Sequence, residues 1–180
     1  MIILASASPR RKELLSRIAD DFTIVPCRSE EKTSYKRPHL YAEALAQHKA
    51  EEVAQTAQDG DTVIAADTIV CFKGRILNKP ADEDEAKRFL KMLSGKKHSV
   101  YTGVCVIKKG VFKKTYYCKS DVEFNRLDDE FIDAYVAGGS PLDKAGAYGA
   151  QDEGVVKRIK GDYDNVVGLP LERLAKILGE

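Results

Sequence analysis

The sequence lacks three features that mark common classes of protein. Its charge has almost no excess of one sign, since 29 lysines and arginines face 28 aspartates and glutamates. Proteins that bind long nucleic acids through phosphates usually carry a basic surplus. No apolar run approaches the length of a membrane span, and the opening run MIILA is too short for a signal peptide. We therefore expect a cytoplasmic protein that binds neither a long nucleic acid nor a membrane.

Several well-known site motifs are also missing. The four cysteines and three histidines form no C-x-x-C pair and no metal-ligand spacing, which argues against a zinc site. Neither the P-loop G-x-x-x-x-G-K-S/T nor the turn G-x-G-x-x-G occurs in the chain. Two common ways of holding a phosphate are therefore excluded.

Strand and helix patterns are intermingled along the 180 residues. Apolar patterning predicts strands at 2–5, 22–25, 62–66, 69–72, 76–77, 99–107, 111–124 and 155–159. It predicts helices from Pro9 and at 39–56, 82–93, 128–136 and 171–178. Turns at 73–74 and 108–110 predict hairpins, which argue against a purely parallel sheet. We expect one α/β domain over residues 1–180, with a mixed sheet flanked by helices.

The stretch LASASPRR at 4–11 allows two interpretations. A serine followed by a proline suits the N-cap and first turn of a helix, which would leave the two arginines solvated. However, Arg10 and Arg11 in the first turn oppose the helix dipole unless an anion joins them. The second interpretation is therefore an anion site that includes Ser6, and the residues alone leave both open.

Isolated acidic and basic residues are ambiguous in the same way. Asp67 follows a buried strand, where open α/β sheets place ligands, but an aspartate also suits a turn. Glu30 and Glu31 lie in a long polar loop and are ordinarily solvated, yet a loop carboxylate and a strand-end carboxylate together can hold Mg²⁺. Lys79 could reach a phosphate or lie in a turn, and Lys49 has no obvious acidic partner.

Eight segments, in this order, resemble the Maf family of nucleotide pyrophosphatases. They are LASASPRRKELL (4–15), EE (30–31), QHKA (47–50), AADTIV (65–70), KP (79–80), VYTGV (100–104), PLDKAGAYGAQ (141–151) and GDYDNVVGLPL (161–171). The resemblance runs from end to end of the chain. It implies an elongated mixed β-sheet flanked by helices, with two lobes around a central cleft, and a homodimer.

The same resemblance implies hydrolysis of a nucleoside triphosphate between the α and β phosphates, to a monophosphate and pyrophosphate. The expected roles are Asp67 as proton acceptor, Glu31 and Asp67 as ligands of Mg²⁺ or Mn²⁺, and phosphate binding by Ser6, Arg10, Arg11, Lys49 and Lys79. Whether Asp67 acts as base, as metal ligand or as both stays open at this point.

ADT at 66–68 and AYGAQ at 147–151 resemble the branch of the family that acts on dTTP and UTP. Arg10, Thr68 and Gln151 are then expected to set base specificity, because a glutamine amide both donates and accepts hydrogen bonds. Ala150, where the family often has a larger side chain, would leave space for modified pyrimidines. Two alternatives are a pyrophosphatase for a methylated guanine nucleotide and a nucleotide-sensing regulator of septum formation.

Overall fold

The computed structural model describes residues 1–29 and 32–179. The strands are β1 (Ile2–Leu4), β2 (Phe22–Ile24), β3 (Thr62–Phe72), β4 (Arg75–Leu77), β5 (Lys97–Lys108), β6 (Phe112–Phe124) and β7 (Val156–Lys160). The helices are α1 (Pro9–Leu15), α2 (Pro38–Ala54), α3 (Glu83–Leu93), α4 (Asp129–Ala137), α5 (Tyr163–Val167) and α6 (Leu171–Leu178). Two short 3₁₀ turns, Ser140–Asp143 and Ala145–Ala147, follow α4. None of the described helices combines the length and apolar character needed to cross a bilayer.

The described strands form one mixed sheet of seven strands. Its order is β2-β1-β3-β5-β6-β7, and β4 pairs with the end of β3. β1 runs parallel to β2 and β3, whereas the other neighbouring pairs are antiparallel. The mixed sheet and the two hairpins expected from the sequence, β3–β4 and β5–β6, are confirmed.

Four of the described helices begin at capping side chains that accept a backbone hydrogen bond in the first turn, and Asp162 at the start of α5 is one of them. Ser8 accepts from the Arg11 amide and is followed by Pro9 at the start of α1. Asp82 begins α3 and Asp128 begins α4 in the same way, each with a hydrogen bond of 2.8 Å. These caps satisfy amides that have no partner within the helix.

Three apolar clusters divide the structure into two lobes. In the first lobe, one cluster packs α1 and α6 on the sheet and a second packs α2 on the opposite face. In the second lobe, α3 and α4 pack on the other end of the sheet. Side chains of β3, β5 and β6 contribute to clusters of both lobes. The two-lobed α/β arrangement is therefore as expected.

The central strand β3 has an unpaired edge between the lobes. Residues 62–64 pair with β1 and residues 70–72 pair with β4, whereas residues 65–69 meet no described strand on that side. Their other side pairs with β5 throughout. A cleft lined by Thr68 opens at this edge, and Asp67 is the preceding residue of β3.

Two segments differ from the sequence prediction. The prediction of separate strands at 62–66 and 69–72 is wrong, because pairing with β5 continues through Asp67 and Thr68 and β3 runs unbroken from Thr62 to Phe72. Residues 163–167 form α5, a helix that the sequence analysis did not predict. Asp162 caps this short helix by accepting a hydrogen bond of 2.8 Å from the Asp164 amide.

Gly103 allows α2 to approach the sheet closely. It lies directly opposite Asp67 in the β3–β5 pair. A Cβ added at Gly103 would lie 2.3 Å from the carbonyl carbon of Ala42 and 2.5 Å from the Glu43 nitrogen. Any side chain here would overlap the backbone of α2, so the missing side chain fixes the height of the helix above Asp67.

Candidate active site

A cleft of about 310 Å³ lies at the unpaired edge of β3. Its walls include seven of the side chains that the sequence nominated: Ser6, Arg10, Arg11, Lys49, Thr68, Lys79 and Gln151. Asp67 borders the cleft through its contact with Lys49. Glu30 and Glu31 lie outside the described residues. The fold therefore gathers at one place side chains that are widely separated in the sequence.

Arg11 connects three segments of the cleft wall. Its Nε donates to the carbonyl oxygen of Gly168 at 2.9 Å, and its two terminal nitrogens donate to Ser6 Oγ at 3.2 Å and to Thr68 Oγ1 at 3.1 Å. The fork of a guanidinium suits such divided contacts. In this arrangement Arg11 holds the loop before α1 against β3. The sequence alone could not distinguish this supporting role from direct binding of a phosphate.

Thr68 belongs to a chain of hydroxyl contacts that continues into the protein. Its Oγ1 lies 2.9 Å from Thr102 Oγ1, and the fully buried Thr102 hydroxyl lies 2.9 Å from the Asn165 carbonyl oxygen, to which it donates. Asn165 is also fully buried and donates to Ser120 Oγ at 2.9 Å. The position of Thr68 at the cleft thus depends on β5, β6 and α5.

Arg10 lies on the more exposed side of the cleft and pairs with Asp143. The Arg10 nitrogen and the Asp143 carboxylate are 3.2 Å apart, and Lys144 contacts the other carboxylate oxygen at 2.9 Å. Burial acts to raise the pKa of Asp143, but the hydrogen bond from Lys144 and the charge of Arg10 outweigh it and hold this pKa below its usual value. Exposed ion pairs contribute only about 0–1 kcal/mol, so Arg10 can exchange this partner for an anion at small cost.

Lys49 and Asp67 form a largely buried ion pair beneath α2. Lys49 Nζ donates to Asp67 Oδ1 at 2.8 Å, with side-chain exposures of 10% and 13%. The sequence offered no acidic partner for Lys49, because the contact joins a helix to a strand across the α2–sheet interface. The pair places an ammonium group and a carboxylate together at the cleft.

The chemistry of Asp67 fits a hard divalent cation. Its Oδ1 is held by Lys49, and its Oδ2 accepts no hydrogen bond from the residues that the structure describes. Mg²⁺ usually takes one or two protein carboxylates together with waters and substrate phosphates. Asp67 can supply one such oxygen, and the second expected ligand, Glu31, is outside the described ranges.

Tyr148 lines the cleft and is an aromatic residue that the sequence analysis did not nominate. Its hydroxyl lies 2.7 Å from His98 Nε2, and its ring meets the Phe124 ring edge-on at 4.6 Å. Burial lowers the pKa of His98 to about 4, so the imidazole is neutral at physiological pH. The available signal was the aromatic residue within AYGAQ, a segment that otherwise contains small or polar residues.

The backbone before Tyr148 is tightly packed against β3. Gly146 has a φ of +68°, and a Cβ there would lie 2.7 Å from Val70 Cγ2. Ala147 also has a positive φ of 64°, which is uncommon for a residue with a side chain. This close approach brings the segment that ends at Gln151 onto the cleft.

Comparisons with known proteins identify the family of the chain. A family model described as Maf-like protein matches residues 1–180. The dTTP/UTP pyrophosphatase of Thermococcus onnurineus is 49% identical over 179 residues, covering 98% of this chain and 96% of that protein. The dTTP/UTP pyrophosphatase of Bacillus cereus strain B4264 is 50% identical over 180 residues, covering 98% and 93%.

Solved structures resemble the fold at low sequence identity. The Ham1 protein of Staphylococcus aureus superposes with a TM-score of 0.60 at 15% identity, covering 99% of this chain and 97% of that one. The HAM1 protein from Coxiella burnetii gives a TM-score of 0.57 at 18% identity, with coverage of 99% and 98%. At these identities the likeness concerns the fold.

Proposed function

This chain belongs to the Maf family, and we propose that it hydrolyses dTTP and UTP between the α and β phosphates. The products are the nucleoside monophosphate and pyrophosphate, and the role is sanitation of the nucleotide pool, including modified pyrimidine nucleotides. Support comes from relatives of that activity at 49% and 50% identity over 98% of this chain. The observation that carries the proposal is the convergence of five cationic side chains at one cleft, with Asp67 in contact with one of them, Lys49.

The cationic side chains would receive the triphosphate. Arg10, Lys49 and Lys79 face the cleft from three different segments, and Ser6 adds a hydroxyl. Such groups, fixed before the substrate arrives, stabilise the charge that develops on phosphate oxygens during the reaction. Arg11 contributes a further positive charge while it holds Ser6 and Thr68 in place.

Asp67 would accept the proton of the attacking water. Lys49 holds Oδ1 and thereby orients the carboxylate, which leaves Oδ2 directed to this task or to the metal. A bound Mg²⁺ or Mn²⁺, held by Asp67 and Glu31, would polarise the phosphate and neutralise charge. Removal of a general base of this kind lowers turnover by roughly 10²–10⁴-fold.

The pyrimidine would be recognised by Thr68, Gln151 and Arg10. The Gln151 amide can donate to and accept from the alternating edge of uracil or thymine. Ala150 also lines the cleft, and its short side chain leaves space beside the base. From the family resemblance we further propose that the protein is a homodimer and that it works in the cytoplasm. Analytical ultracentrifugation at several protein concentrations would test the oligomeric state.

A nucleotide panel tests the proposal directly. The purified chain with Mg²⁺ or Mn²⁺ should release pyrophosphate from dTTP and UTP, and a chelator should abolish the release. Asp67→Asn should lower kcat by roughly 10²–10⁴-fold with little change in KM, whereas Asp59→Asn, at an exposed turn, should behave as the parent. Absence of pyrophosphate from both nucleotides, or full activity of Asp67→Asn, would overturn the proposal.

A further inference from the structure

Three side chains with metal-binding groups converge beside the cleft, and Asp67 is not a member of this group. Cys27 lies in the segment after β2, and His48 and Glu52 lie on α2. The cysteine sulfur, an imidazole nitrogen and a carboxylate oxygen all lie within 4.8 Å of one another, and each residue is partly buried. His48 and Glu52 are four residues apart on the helix, so their side chains lie on one face. The proposed hydrolysis uses none of the three.

The donor atoms already point towards one another. Cys27 Sγ lies 3.0 Å from Glu52 Oε2, and His48 Nε2 lies 2.7 Å from Ser29 Oγ. Ser29 Oγ also donates to Glu52 Oε2. The thiol, imidazole and carboxylate groups are thus linked to one another through the hydrogen bonds of the Cys27 thiol and the Ser29 hydroxyl.

Neighbouring groups orient the carboxylate for a ligand role. The Arg28 amide donates to Glu52 Oε1 at 2.7 Å, which leaves Oε2 on the side of Cys27 and His48. Outer contacts of this kind, which fix the direction of a ligating oxygen, are a general feature of protein metal sites. The Arg28 contact involves Oε1 and can persist when a metal binds Oε2, which also accepts a hydrogen bond of 3.1 Å from the Ser29 amide.

We propose that Cys27, His48 and Glu52 form a binding site for a borderline-soft divalent cation, with zinc as its natural ligand. A thiolate and an imidazole favour zinc over Mg²⁺, which prefers oxygen alone. Three protein ligands leave a fourth tetrahedral position for water or the Ser29 hydroxyl. On binding, the thiol proton passes to solvent as the metal–sulfur bond forms, and the neutral imidazole donates its lone pair without losing a proton. The site is distinct from the oxygen site at Asp67 and does not depend on hydrolysis.

Occupation of this site would fix part of the cleft wall. Cys27 belongs to both the cluster and the lining of the cleft. A metal there would join the segment after β2 firmly to α2, which this segment now contacts through hydrogen bonds to Glu52 and His48. The cation would therefore act on the shape of the cleft rather than on the phosphates.

Cobalt titration of the full-length, metal-free chain tests the proposal. With Mg²⁺ in excess to occupy the oxygen site, Co²⁺ should bind with one equivalent and give the near-ultraviolet charge-transfer band of a cobalt–thiolate bond, and Zn²⁺ should remove the band. Cys27→Ser should lose the band, and His48→Gln should weaken binding by at least about tenfold. Cys118→Ser, which changes a partly buried cysteine of β6 outside the cluster, should keep the band.

Alkylation provides a measurement that needs no variant to fold. Zn²⁺ should protect Cys27 from a thiol reagent in the parent chain, with the modified cysteine identified by mass spectrometry, while the reactivity of Cys71 stays unchanged. A missing charge-transfer band, a band retained in Cys27→Ser, or unchanged alkylation of Cys27 with zinc present would each overturn the proposal. If Asp67→Asn rather than Cys27→Ser abolished the cobalt signal, the metal would belong to the oxygen site and the proposal would fail.

Discussion

Replacing Gly103 by alanine should damage both stability and turnover, because one missing side chain sets the distance between α2 and Asp67. The added Cβ would lie 2.3 and 2.4 Å from the Ala42 carbonyl carbon and oxygen, whereas ordinary contacts begin at 3.4 Å. The helix must therefore move by roughly 1 Å, because the atoms it meets are backbone. Overpacking of this kind costs roughly 1–3 kcal/mol, which corresponds to a fall of roughly 2–12 °C in Tm for a chain of this size.

The same movement carries Lys49 away from Asp67, since Gly103 faces Asp67 across the β3–β5 pair. A displacement of about 1 Å at a reacting group can lower the rate by roughly 10²-fold. We expect kcat for dTTP to fall by about that factor at a temperature well below the Tm of the variant, while far-ultraviolet circular dichroism remains unchanged.

Two control variants make this experiment decisive. Gly138→Ala adds a methyl group at a negative φ with its nearest neighbour at an ordinary 3.4 Å, so it should leave Tm and kcat close to those of the parent. Ala42→Gly should not rescue Gly103→Ala, because the overlap is with the backbone and not with the Ala42 methyl group. The reasoning is refuted if Gly103→Ala melts and turns over like Gly138→Ala.

Three further predictions concern single side chains of the cleft and its support. Lys49→Met leaves the largely buried Asp67 carboxylate without its cation and should therefore lower the free energy of unfolding by roughly 3–5 kcal/mol. Denaturant titrations measure this difference, and a loss below about 1 kcal/mol would contradict the pairing. Burial lowers the pKa of His98 from 6.5 to about 4, so the unfolded chain binds more protons than the folded chain between these pH values. The contribution of His98 to the free energy of unfolding is therefore complete above pH 6.5, and about 2–3 kcal/mol of it is lost between pH 7 and 4.5. His98→Gln should lack this pH-dependent loss, and an unchanged pH dependence of stability in the variant would contradict the inference. Gln151→Ala should raise KM for dTTP and UTP by about tenfold, the value of a lost hydrogen bond to a ligand, with a smaller effect on kcat, and unchanged kinetics would remove Gln151 from base recognition.

Local chemistry made much of the fold predictable. Ser8 and Pro9 mark the start of α1, and Asp82 marks the start of α3, because capping depends on neighbours in sequence. The hairpin turn at Lys73 and Gly74 is equally local, with both residues at positive φ. Asp67 was expected to follow a strand and instead lies within one, because the partner strand that extends β3 is more than thirty residues away in the chain.

The site depended on contacts that no short window of sequence contains. Lys49 is an ordinary helical lysine until α2 packs on β3 and supplies Asp67. Arg11 could have faced a phosphate or the protein, and only the position of Gly168 shows how its guanidinium is held. His48 and Glu52 show helical spacing in the sequence, but the third member of their cluster comes from a different element. Family resemblance supplied the roles that local patterns could not.

The strands shared by both lobes also determine how the cleft can deform. β3, β5 and β6 pass through the two lobes as a continuous ladder, with 12 paired positions in the β5–β6 hairpin alone. A change in cleft width must therefore twist or bend the paired strands themselves, because, among the described residues, no flexible linker joins the lobes at this sheet. The hydrogen bonds between the strands resist such bending along their whole length. The two lobes are therefore joined rigidly by the same strands, and we expect substrate selection to depend on the fixed width of the cleft more than on closure of the lobes around the nucleotide.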